Sequence, residues 1–123
     1  MIHISDQEFE QLIDKALASL PGEQVKRIEN VAILLQDEPT EEQRRQLELR
    51  HNETLLGLYE GVPLIQRQGR TDFMPDRITL FKLPLSALAA NIKELQEEIR
   101  HTLWHEIGHY YGLDHDRIAE LEQ

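Results

Sequence analysis

With 123 residues, 40% of them hydrophobic, the chain is long enough to bury a core unaided, and the lack of cysteine excludes disulfides, a thiolate metal site and a thiol nucleophile. Its formal net charge of -10, from 13 basic and 23 acidic residues, repels a phosphate backbone, so no nucleic acid partner is expected. No apolar run approaches the ~18 residues of a membrane span, and the opening MIHISDQEFE lacks a basic-then-apolar leader, so no membrane association and a cytoplasmic location are expected.

No repeat, low-complexity tract or linker divides the sequence, which reads as a single domain over residues 1–123, a monomer by default. Ser5 with Glu8 forms a capping-box pattern, and Phe9, Leu12, Ile13, Ala16 and Leu17 then recur at helical spacing until Leu20-Pro21-Gly22. A short second helix is predicted from Glu23 to Glu29. Val31-Ala32-Ile33-Leu34-Leu35 is a compact apolar run, which predicts a strand covered on both faces. Thr40 with Gln43 opens a charged helix to about Arg50, and Leu55 to Gly61 reads as a second strand. Strand, helix, strand predicts a parallel pair joined by a right-handed crossover.

Residues 61 to 76 are polar and broken by Pro63, Gly69 and Pro75, the composition of a mobile loop. A third strand is predicted from Arg77 to Leu83, ending at Pro84, with Ser86 capping a short turn. Asn91 with Glu94 then starts a long helix to about Tyr111, whose Ile92, Leu95, Ile99, Leu103 and Ile107 fall on one stripe. The fold class expected is α/β (α+β): a small mixed sheet of three to four strands packed on helices.

That last helix carries the chemistry. Residues 105 to 115, His-Glu-Ile-Gly-His-Tyr-Tyr-Gly-Leu-Asp-His, match H-E-x-x-H-x-x-G-x-x-H, the metzincin form of the zinc-peptidase signature. His105 and His109 sit four residues apart on one helix face, away from the apolar stripe, so two imidazoles can bend toward one ion. Glu106 projects at a neighbouring angle, within reach of a water without being a ligand. Gly112 suits a left-handed C-cap, and the turn after it would return His115 as a third ligand. Three neutral imidazoles leave a fourth position for water, the mark of a catalytic site.

Asp114 and Asp116 flank His115 and stay open as alternative third ligands, although spacing favours His115 and a carboxylate there also suits orienting a histidine. His101 completes a four-residue ladder with His105 and His109, but three turns span too far for one ion, so it reads as exposed or as a neighbour supporting a ligand rather than as a ligand itself. The cofactor expected is one Zn2+, with other divalent ions accepted by the same donors. Tyr59, between Gly57 and Gly61, is either an oxyanion donor or a core tyrosine, and Arg77 either touches substrate or forms a surface ion pair.

Beyond the signature, Phe9-Glu10 through Leu20-Pro21, Asn30-Val31-Ala32 leading to Asp37-Glu38-Pro39, Leu56 to Pro63 and Pro75 to Phe81 resemble the small bacterial zincin-like metallopeptidase family, also called the minimal metalloprotease-like family. The resemblance covers nearly the whole chain and is most specific from His105 to His115. It implies a small sheet beside a long zinc-binding helix, with His105, Glu106 and His109 at the family's motif positions. Many members carry an acidic residue where this chain has His115. No methionine follows the signature, the only two being Met1 and Met74, so the Met-turn of true metzincins is missing.

The function expected is a zinc-dependent metallopeptidase with Glu106 as general base, acting on a peptide or unfolded protein laid along an exposed strand, either 55–61 or 77–83. The alternative is a catalytically silent metal-binding or peptide-binding module of the same fold.

Overall fold

A computed structural model describes residues 2–20, 31–50, 54–61 and 76–110. Among these residues the elements are α1 (Asp6–Ser19), β1 (Val31–Gln36), α2 (Glu41–Gln46), β2 (Gly57–Glu60), β3 (Asp76–Phe81), α3 (Lys82–Ala87) and α4 (Ile92–Tyr110). The expected helix over 23–29 and most of the expected loop over 61–76 lie outside the described residues.

Both capping boxes form. The Ser5 hydroxyl accepts from the Glu8 amide at 3.1 Å and the Glu8 carboxylate accepts from the Ser5 amide at 3.1 Å. Thr40 and Gln43 exchange the same pair at 3.0 and 2.8 Å. Each satisfies two donors that a helix start leaves unpaired. Phe9, Leu12, Ile13 and Ala16 of α1 are buried, and α1 packs along α4. The Lys82 ammonium meets Asp6 at 2.7 Å, tying the start of α1 to α3.

The fold is α+β, and the described residues form a mixed three-stranded sheet in the order β1-β3-β2. β1 runs parallel to β3, Val31 opposite Asp76 and Gln36 opposite Phe81, whereas β2 runs antiparallel to it, Gly57 opposite Leu80 and Glu60 opposite Arg77. The first two strands therefore do not pair, contrary to the crossover expected from their order. The cause lies in α2, which buries none of its residues and so has no apolar stripe to lay on a sheet as a crossover helix must. The central place goes to β3, whose Ile78, Thr79, Leu80 and Phe81 are all buried. Nor is β1 covered on both faces: Val31, Ile33 and Leu35 pack on the core, while Leu34 on the opposite face is exposed.

Three further boundaries differ from expectation. α2 stops at Gln46 because Glu48 adopts φ 55, closing the helix with bonds from the Glu48 amide to the Arg45 carbonyl and from the Leu49 amide to the Arg44 carbonyl. β3 ends at Phe81, and the chain enters α3 directly, with Pro84 in the first turn, where its missing N–H leaves no bond unmade. Ser86 is not a cap; it is buried within α3.

The Asn91 side chain accepts from the Glu94 amide at 2.9 Å and starts α4. Leu95, Ile99, Leu103 and Ile107 are buried against α1 and the inner face of the sheet, whereas Ile92 in the first turn is exposed. No helix among the described residues is long and apolar enough to cross a membrane.

Candidate metal centre

The buried stripe of α4 fixes the rotation of the helix, and that rotation decides where the polar residues between its members point. Glu106, three residues after Leu103, turns toward β2 and is only 7% exposed. His105 and His109 emerge at the margin of the core and are half-buried. Their Nε2 atoms stand 3.1 Å apart, with ring centroids at 4.8 Å in an edge-to-face arrangement.

Among the described residues, His105, Glu106 and His109 form a group whose potential ligand atoms all lie within 4.8 Å of one another. Two nitrogens on one tetrahedral zinc at 2.0–2.1 Å must lie roughly 3.3 Å apart, so the observed separation suits a shared ion. Donor chemistry agrees, since imidazole is a common zinc ligand. His101, one turn earlier, is exposed. His115, Asp114, Asp116 and Gly112 lie outside the described residues, as does the expected turn that would return a third ligand.

β2 presses directly on α4 at Gly57. A β-carbon there would stand 2.7 Å from Thr102 Cγ2, 3.3 Å from the Thr79 carbonyl oxygen and 3.4 Å from Glu106 Cγ. Two residues on, the backbone amide of Tyr59 donates to Glu106 Oε1 at 3.1 Å. This partner carries no sequence motif; a glycine inside a strand was the one available signal, because it marks close backbone approach. The Tyr59 ring packs against the core and its hydroxyl donates to the buried Asp76 carboxylate, so it is the main chain of Tyr59 that reaches Glu106. Gly61, with φ +150, leaves the room that Asp76 occupies. Arg77 pairs with Glu60 at the surface at 3.3 Å, as a surface ion pair would.

Burial pushes the Glu106 carboxyl up from 4.5 to about 7, against the smaller opposing effect of the Tyr59 amide. A carboxyl that holds its proton more tightly in the folded than in the unfolded chain favours folding at low pH. That advantage is complete below 4.5 and disappears as pH rises through about 7. At ~1.4 kcal/mol per tenfold change in proton affinity, the swing is on the order of 3 kcal/mol. In chelator-treated protein, Glu106→Gln should therefore melt several degrees higher relative to wild type at pH 8 than at pH 4.5. Melting curves at the two pH values check this, and a pH-independent difference would contradict it.

A family model described as zincin-like metallopeptidase matches residues 28–123, a span that contains all three strands and the whole of α4. No curated protein matches the chain.

Proposed function

From the premise that this chain belongs to the zincin-like metallopeptidase family, we propose that it is a zinc-dependent peptidase, with His105 and His109 as metal ligands, His115 as the third, and Glu106 as general base. The observation that supports this reading best is the convergence of two imidazoles and one buried carboxylate within 4.8 Å on consecutive turns of one helix.

A zinc ion held by these histidines supplies a Lewis acid that polarises the scissile carbonyl and acidifies the attacking water. Glu106 takes the proton of that water as its oxygen bonds to the carbonyl carbon. The same carboxylate returns the proton to the amide nitrogen as the C–N bond breaks, so the leaving group departs as a neutral amine. Burial, which strengthens the hold of this carboxyl on a proton, suits both halves of this exchange, because a much stronger acid would hold the proton too weakly to collect it.

The substrate class is a short or unfolded peptide in extended form. Of the two strands considered from sequence, β3 is central and has both edges paired, whereas among the described residues β2 lies at the edge of the sheet beside α4. β2 is therefore the strand along which the peptide would lie.

Metal content and peptide turnover test the reading together. Protein purified without chelator is expected to hold one zinc per chain and to cleave members of a diverse peptide library. Cleavage should stop on chelation and return on adding zinc. A zinc-loaded protein that cleaves nothing in such a library would reject the assignment.

A further inference from the structure

We infer that Gly57 is a positioning residue for Glu106: with no side chain there, β2 closes on α4 far enough for the Tyr59 amide to hold the Glu106 carboxylate in place. The inference rests on the peptidase reading for its kinetic consequence, and on the packing alone for its structural one.

Among the described residues, one hydrogen bond adds direction to the packing that holds Glu106. Its side chain is buried, and the hydrogen bond identified for it among the described residues comes from the Tyr59 backbone. A carboxylate that must collect a proton from one atom and deliver it to another needs a fixed direction, and misplacement by about 1 Å can cost roughly 100-fold in rate. The amide that fixes it belongs to a strand, and the strand's distance from α4 is set two residues away.

At that point the fit is tight. Thr102 fills the space beside Gly57, one helical turn before Glu106, with its Cγ2 at 2.7 Å from where a β-carbon would be. A contact that short has to be relieved, and the Thr79 carbonyl at 3.3 Å blocks retreat toward β3. Thr102, β-branched and stiff at χ1, has little freedom to turn aside, which leaves β2 to move away from α4. That movement stretches the 3.1 Å bond from Tyr59 to Glu106.

Two variants crowd the contact from opposite sides: Gly57→Ala adds a β-carbon on the strand, and Thr102→Ile keeps Cγ2 while enlarging the buried helix side chain on its other branch. Each is expected to lower kcat roughly 10- to 100-fold while KM and zinc affinity stay at wild-type values. In 15N-labelled protein the Tyr59 amide proton, displaced downfield by its bond to a carboxylate, should move upfield in both. Thr102→Ser, which removes Cγ2 and keeps the hydroxyl, should behave as wild type. Combined with Gly57→Ala, it should restore most of both kcat and the Tyr59 resonance.

That steric rescue is what a general loss of stability would not produce. Unchanged kcat and an unmoved Tyr59 resonance in both crowding variants would overturn the inference, and so would a Gly57→Ala/Thr102→Ser double variant no better than Gly57→Ala. Should Gly57→Ala fail to fold, Thr102→Ile against Thr102→Ser decides the matter by the same two readouts. Should wild type cleave no peptide, the peptidase reading fails by itself. The Tyr59 resonance series then decides the positioning: moved by the crowding variants supports it, unmoved overturns it.

Discussion

Glu106→Gln is expected to lower kcat for peptide cleavage by about a thousandfold while leaving zinc affinity unchanged, the size of effect a positioned general base contributes. Glutamine is the informative replacement. It keeps the length of the side chain and an oxygen that can accept from the Tyr59 amide, so the packing of β2 on α4 survives. What it loses is the capacity to carry a proton. Stopped cleavage with retained metal therefore isolates the proton transfer from the fold and from the ligands. Zinc content by elemental analysis and kcat from initial rates make the comparison, and substantial retained turnover would remove Glu106 from the role of base.

The pH profile gives the same argument a second reading. Burial raises the carboxyl to about 7, and the base acts only in its ionised form, so turnover should fall as the medium is acidified. A divalent cation at His105 and His109 pulls the other way, favouring the ionised carboxylate. At saturating zinc the acid limb of kcat/KM should accordingly lie below the value of the metal-free protein, and it should vanish from the residual rate of Glu106→Gln.

His109→Ala and, separately, His105→Ala are expected to weaken zinc binding at least 100-fold, with the helical content of the protein unchanged. Their Nε2 atoms, 3.1 Å apart, form the pair that would grip the ion, and removing either leaves a site short of one ligand. Both side chains are half-buried at the margin of the core, so their loss opens no large internal cavity. Since imidazoles bind metal only when neutral, wild-type affinity should also drop as pH falls through about 6. Calorimetric titration with zinc, paired with circular dichroism, measures both effects. Affinity within a few-fold of wild type in either variant would exclude that residue as a ligand.

Much of this was written locally in the sequence. The Ser5–Glu8 and Thr40–Gln43 boxes, the Leu95–Ile107 stripe and the four-residue spacing of His105 and His109 all depend on neighbours within a turn or two. Local chemistry enforces them. Sheet order is different in kind. Whether β1 pairs with β2 or β3 depends on which strand is buried on both faces, and Val31 to Leu35 looks as apolar as any buried strand when read alone. Only the absence of a packing face on α2 argues otherwise. The end of α2 at Gln46 is equally hidden, because the left-handed residue that closes it, Glu48, is not the glycine or asparagine that usually announces such a cap. The Tyr59-to-Glu106 bond spans 47 residues and uses a backbone donor, which every residue but proline possesses and no letter advertises.

The interleaving of Leu103 and Ile107 with His105, Glu106 and His109 along one rod has an evolutionary consequence. If the peptidase reading holds, selection for a firmer interior and selection for altered reactivity act on the same few codons, so neither can drift far without disturbing the other. Diversification of what the molecule acts upon should then accumulate away from this rod, in the strand facing it and the segments beyond, while the rod itself is inherited as a block.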